Sequence, residues 1–72
     1  MKEVKITSDY ITLGQFLKLT DFASSGGEVK YLLSSLEIYV NQELENRRGK
    51  KLYHNDVVKI DEISFKITYD NQ

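Results

Sequence analysis

The chain has 72 residues, no cysteine and a formal net charge of -1 at pH 7, with 40% hydrophobic and 29% charged residues. This length and composition predict one globular domain, and the lack of cysteine excludes disulfides and thiolate metal sites. The near-neutral charge argues against a protein that coats DNA by bulk attraction, although it allows a local basic patch. We see no signal peptide and no run of about 20 apolar residues, so we expect a cytoplasmic protein with no membrane partner.

The first elements in chain order are a strand and a short helix. KEVKITS alternates apolar and polar residues, which is typical of a strand. Leu13, Phe16 and Leu17 recur at helical spacing, and Thr12 and Gln15 have the spacing of a capping box. We therefore predict a helix over residues 13 to 19.

A second helix is predicted over residues 27 to 36. Ser25 is a candidate N-cap, and Glu28 stands where a second capping box needs an acidic residue. Four apolar residues at helical spacing predict one buried stripe, namely Val29, Leu32, Leu33 and Leu36.

Three strands are predicted after the helices, in EIYVN, LYHNDVVKI and EISFKITY, with a tight turn at Asn55-Asp56. Phe16, Phe22 and Phe65 are assigned to the core. The terminal strands both alternate, and their pairing would complete the sheet. With no internal repeat or linker, residues 1–72 are interpreted as a single α+β domain, in which two short helices pack on a small, mostly antiparallel sheet.

The stretch NRRGKK (residues 46–51), here called the basic loop, holds four of the ten basic residues. Guanidinium and ammonium groups suit phosphates, and a glycine between them allows close approach to a ligand. A solubilising loop balanced by the glutamates upstream is the alternative, and charge alone does not decide between the two.

The order of these motifs resembles the alpha-L RNA-binding motif, the module named after the small-subunit ribosomal protein S-four. ITLGQFLKL, SSGGEVKYLL, VNQELENRRGKKLY and DVVKI look like the free-standing bacterial proteins of the YaaA type within that family. The resemblance covers about residues 11 to 60. It implies a protein that binds structured RNA.

Some positions of this chain match the usual residues of the family, and others differ from them. The first helix keeps Leu13 of the usual Arg-Leu-Asp but neither charged residue, and Ser25 is followed by Gly26 where the family usually has Arg. Lys30 matches a basic position of the second helix, and Asn41 matches the Asn at the strand end. The candidate RNA-binding residues are Arg47, Arg48, Lys50, Lys51, Lys30, Ser25, Gly26, Asn41 and Lys18.

The Gly-rich start of the second helix has two interpretations. Its free N–H groups could bind a phosphate beside Lys30, or Ser25 simply caps the helix while Glu28 occupies its positive end. The tyrosines Tyr31, Tyr39 and Tyr53 could likewise stack on unpaired bases or pack against the core.

No pattern in the sequence indicates catalysis. The single histidine, His54, has no partner for a metal or catalytic site, the serines have no credible base, and SGGEVK lacks the spacing of a Walker loop. We expect no enzyme activity, no cofactor, no metal and no small-molecule substrate.

The sequence therefore predicts a monomeric, non-catalytic protein that contacts structured RNA, ribosomal above all, in ribosome assembly or function. The alternative is a protein-interaction adaptor that docks its basic loop on an acidic partner. A β-grasp-like carrier is a weaker third reading, because the chain ends YDNQ and lacks the C-terminal Gly-Gly of such carriers.

Overall fold

A computed structural model describes residues 1–69 of the chain. In chain order these residues form β1 (Lys2–Ile6), β2 (Tyr10–Thr12), α1 (Leu13–Leu19), α2 (Gly26–Ser35), β3 (Ile38–Val40), β4 (Glu43–Leu44), β5 (Lys51–Tyr53), β6 (Val57–Ile60) and β7 (Ile63–Tyr69). The predicted fold class, two helices with a mostly antiparallel sheet, is confirmed.

The strands form a five-stranded sheet and a separate two-stranded ladder. The sheet has the order β1-β7-β6-β3-β4, and its pairs are antiparallel apart from β1 with β7. The two terminal strands thus pair in parallel, with Val4 opposite Ile67. The ladder joins β2 to β5 in antiparallel fashion and links the chain just before α1 to the end of the basic loop.

The first helix begins and ends as predicted, at residues 13 and 19. The hydroxyl of Thr12 accepts a hydrogen bond from the Gln15 N–H at 3.2 Å, and the Gln15 Oε1 accepts one from the Thr12 N–H at 2.8 Å. This complete capping box fixes the start of α1. Leu13, Phe16 and Leu17 are fully buried, so the helix anchors one side of the core.

The second helix begins and ends one residue earlier than predicted, because Leu36 is already extended. Ser25 caps it as expected, since its hydroxyl accepts a hydrogen bond from the Glu28 N–H at 3.3 Å. The prediction of a complete capping box, in which the Glu28 carboxylate accepts a hydrogen bond from the Ser25 N–H, is wrong. The carboxylate instead accepts hydrogen bonds from the hydroxyl and the N–H of Ser24, because Ser24 offers it two donors.

The predicted buried stripe of α2 is only partly correct. Val29 is fully buried, whereas Leu32, Leu33 and Leu36 are half-buried and pack against the margin of the core. Phe22 is also half-buried, although its ring meets that of Phe65 edge-on. A domain of this size cannot cover every flank of its helices. Within residues 1–69, neither helix has the length and apolarity needed to cross a membrane.

The predicted count of three strands after the helices is wrong. The structure has five there, and it adds β2, which was not predicted. The short β4 carries no burial pattern, since both of its residues are exposed. Asn41 and Gln42 both have positive φ, 51° and 74°, as two-residue type I′ hairpin turns require. The turn predicted at Asn55 is confirmed by its φ of 75°.

The hairpin of β6 and β7 offers a matched test of the core. Ile60 is fully buried and Ile63, its direct partner across the strands, is 41% exposed. We expect Ile60→Val to lower the free energy of unfolding by about 1 kcal/mol and Tm by about 4–8 °C. Ile63→Val should change the free energy of unfolding by less than about 0.5 kcal/mol. Urea and thermal unfolding followed by circular dichroism measure both, and equal losses would contradict the assigned burial.

Candidate nucleic-acid interface

The basic loop lies against the N-terminus of α1. β2 runs directly into α1 and pairs with β5, so the residues before β5 must pass beside the start of the helix. The Leu13 N–H donates to the Lys50 carbonyl oxygen at 2.8 Å, and the Gly14 N–H donates to the Arg48 carbonyl oxygen at 2.9 Å. The first N–H groups of a helix have no partner within the helix, and here the loop supplies two of the acceptors.

Gly14 allows the loop to come this close. A Cβ at this position would lie 3.4 Å from the Arg48 carbonyl oxygen and 3.5 Å from Cγ1 of Val29. A methyl group would just fit in van der Waals contact, and a larger side chain would push the loop or α2 away. α1, α2 and the basic loop therefore meet at this glycine.

Arg47 is the member of the loop with an acidic partner. Its Nε and Nη2 donate to the two carboxylate oxygens of Glu45 at 2.9 and 3.1 Å, and its N–H donates to Oε2 at 3.0 Å. These hydrogen bonds, chiefly those of the side chain, lower the pKa of Glu45 to about 2, and they raise the pKa of Arg47. Glu45 is 11% exposed and Arg47 73% exposed, so this guanidinium reaches solvent with its charge already balanced.

Arg48 turns to the other side of the loop and meets α2. A Cβ on Gly26 would lie 3.6 Å from Nη2 of Arg48, so the guanidinium covers the position at which the family's usual arginine would begin. Arg48 and Lys30 line one shallow concavity, with Asn46 at its edge. The structure thus brings together two of the predicted cations from separate elements.

A second shallow concavity lies along the loop and is lined by Arg47, Gly49, Lys50, Lys51 and Tyr53. Among residues 1–69, Arg47 with Glu45 is the only ion pair. We call Lys30, Arg48, Lys50 and Lys51 the basic surface.

The remaining predicted residues lie apart or have other partners. Ser25 caps α2, and Glu28 occupies the positive end of that helix, where hydrogen bonds from the Ser24 hydroxyl and N–H lower the pKa of its carboxyl group. Asn41 donates to Asp56 at 3.0 Å and accepts from the Val57 N–H at 2.9 Å, so its amide fixes a turn.

Lys18 is exposed in the last turn of α1, at the end of the helix away from the basic loop. His54 accepts a hydrogen bond at Nδ1 from the Tyr69 N–H at 2.9 Å, which ties its turn to β7. Residues 1–69 contain no cluster of three or more His, Cys, Asp or Glu side chains that could hold a metal ion.

An aromatic pair beside the basic surface was missed from the sequence. The rings of Tyr10 and Tyr53 lie opposite each other across β2 and β5, with centroids 5.7 Å apart and planes tilted by 45°. Nζ of Lys51 lies 4.9 Å from the Tyr10 centroid. The polar-apolar alternation of Tyr10, Ile11 and Thr12 is the signal that was available. The partner of Tyr10 could not be known before the two strands were known to pair.

The chain that folds into these two helices, this mixed sheet and this basic loop matches the S4 domain family over residues 4–68. The protein belongs to that family, and the resemblance to the alpha-L RNA-binding motif is confirmed. It is also similar to the "Probable ribosome maturation protein RlbA" of Bacillus subtilis (strain 168), with 55% identity over 58 residues, which are 81% of this chain and 82% of the relative. The two chains are therefore nearly equal in length.

The pair of Glu45 and Arg47 predicts a specific acid dependence of stability. Because the folded-state pKa of Glu45 is about 2 and its ordinary value is 4.5, the pair stabilises the fold above pH 4.5, and that stabilisation is lost as the pH falls through about 2. We expect Glu45→Gln to lose less free energy of unfolding than the wild type from about pH 5 to about pH 2.

Glu43→Gln is the matched control, because it removes an exposed carboxylate in the neighbouring β4 that has no ion-pair partner within residues 1–69. Urea unfolding across this pH range measures all three proteins. Parallel pH profiles for the wild type and Glu45→Gln would show that the pair contributes nothing.

Proposed function

We propose that this protein binds structured ribosomal RNA through phosphate contacts on its basic surface and acts in ribosome maturation, as a cytoplasmic monomer without catalysis. The observation that carries the proposal is the pair of hydrogen bonds from Leu13 and Gly14 that fix the basic loop on α1. Family membership and the printed function of the relative support RNA and the ribosome as its targets.

A fixed loop matters because a flexible one would have to be ordered on binding. Immobilising each rotamer-rich side chain costs about 0.5–1.5 kcal/mol, and ordering the backbone adds to this. The loop backbone is already held here, so the main remaining cost is that of the long side chains. A rigid array of cations also fits structured RNA, whose phosphates have a fixed spacing.

The cations differ in what they can contribute. Arg48 presents a planar fork that can hold a phosphate with two hydrogen bonds, next to the ammonium group of Lys30. Arg47 has its Nε–Nη2 edge occupied by Glu45 and its charge balanced, so only its remaining N–H groups are available to a phosphate. We therefore rank Arg48 and Lys30 above Arg47 as phosphate ligands.

The alternative function, an adaptor for an acidic protein, predicts a different partner when the protein is purified from cells. Association with ribosomal particles that nuclease abolishes supports the RNA proposal. A stoichiometric protein partner that survives nuclease would support the adaptor instead.

Salt-dependent binding to bacterial ribosomal RNA tests the proposal directly. We expect affinity to fall steeply with salt, and each of Arg48→Gln and Lys30→Gln to lower it about tenfold, which is about 1.4 kcal/mol. Each variant should also reduce the slope of log affinity against log salt by about 0.7–0.9, because one phosphate contact is lost. Arg47→Gln should have a smaller effect.

Lys66→Gln is the charge-matched control, because Lys66 is exposed on β7 between two residues that face the core. Filter binding at several salt concentrations measures all of these proteins. If Lys66→Gln weakens binding as much as Arg48→Gln does, the effect is one of net charge, and the assigned surface is wrong.

A further inference from the structure

The ladder of β2 and β5 presents an aromatic surface beside the basic loop. Side chains alternate across a strand, so the buried Leu52 and half-buried Ile11 face the core while Tyr10, Lys51 and Tyr53 face outward. Tyr10 is 39% exposed and Tyr53 is 48% exposed. Two half-open rings thus stand together on the protein surface.

Packing explains only part of this arrangement. A cross-strand aromatic pair stabilises a short ladder, and a cation over the ring of Tyr10 adds to that. Neither contact explains why part of each tyrosine ring remains exposed to solvent. Tyr53 also lines the concavity that contains Lys50 and Lys51, so the open area lies next to two cations of the basic surface.

Resting on the function proposed above, we infer that Tyr10 and Tyr53 bind an unpaired nucleotide adjoining the structured RNA. The base stacks on an open tyrosine face, and its phosphate lies against Lys50 and Lys51. Aromatic stacking together with a basic groove is the general chemistry of single-strand recognition, and it tolerates any base because every base has a π-face. The site selects a junction between paired and unpaired RNA, whereas the rest of the basic surface contacts the paired part.

Two RNA probes separate this inference from the proposed function. One is a blunt RNA duplex, and the other is the same duplex with a short single-stranded extension. We expect the wild type to bind the extended duplex about tenfold more tightly, which is the effect of about one stacked base. In Tyr53→Leu and Tyr10→Leu the ratio of the two affinities should fall towards one.

Tyr31→Leu is the matched control, because Tyr31 is 68% exposed but lies on α2, outside the ladder. It should keep the wild-type ratio. If the wild type binds both duplexes equally, the inference fails while the proposed function stands. If neither duplex binds in a salt-dependent way, both fail. If Tyr53→Leu keeps the ratio but loses association with ribosomal particles, the pair contacts a protein, and the inference is again wrong.

Crosslinking gives a result that does not depend on a variant's folding. A thio-substituted uridine in the single-stranded extension is irradiated with the wild-type protein, and the modified peptide is identified by mass spectrometry. We expect the crosslink on β2 or β5, and a crosslink confined to α2 or to the five-stranded sheet would overturn the inference.

Discussion

Two N–H groups at the start of α1 determine how the charged part of this protein is arranged. Leu13 and Gly14 donate to the carbonyl oxygens of Lys50 and Arg48, so a helix terminus and an irregular loop satisfy each other's backbone groups. The same contact continues the ladder between β2 and β5, because the bond to Lys50 follows directly after the last pair of that ladder. The direction of Arg48 towards α2 and the pairing of the two tyrosines both depend on this junction.

The junction also explains how a protein with a net charge of -1 can present a basic surface. Glu45 balances one arginine beside the loop, and that pair holds the loop's first turn in place. Among residues 1–69 the cations of the basic surface have no acidic partner, and they line two concavities where local arrangement outweighs the total charge. Arg48 also places a guanidinium next to Gly26, so a charge from the loop lies at the start of the second helix.

Local signals made part of this structure predictable. The capping box at Thr12 and Gln15 defined α1 to the residue, because both residues of the box lie within the first turn of the helix. The short β2 was not predictable, because it is stabilised by pairing with the distant β5. The two-residue β4 pairs with the adjacent β3, but both of its residues are exposed, so it has no burial pattern to detect. The different roles of Arg47 and Arg48 were also not predictable, because they depend on contacts that form only in the folded chain. Adjacent arginines look equivalent in sequence, and only the folded chain shows which one meets Glu45 and which meets α2.

Amide hydrogen exchange at Leu13 and Gly14 measures whether the basic loop is held on α1, because exchange reports how often each N–H group is released from its acceptor. If the basic loop is held on α1, both amides should be protected to about the same degree as amides of the core strands, and ligand should not be needed for this protection. Exchange at the rate of an unstructured segment, with the rest of α1 protected, would show that the loop is free and would contradict the account of a preformed basic surface.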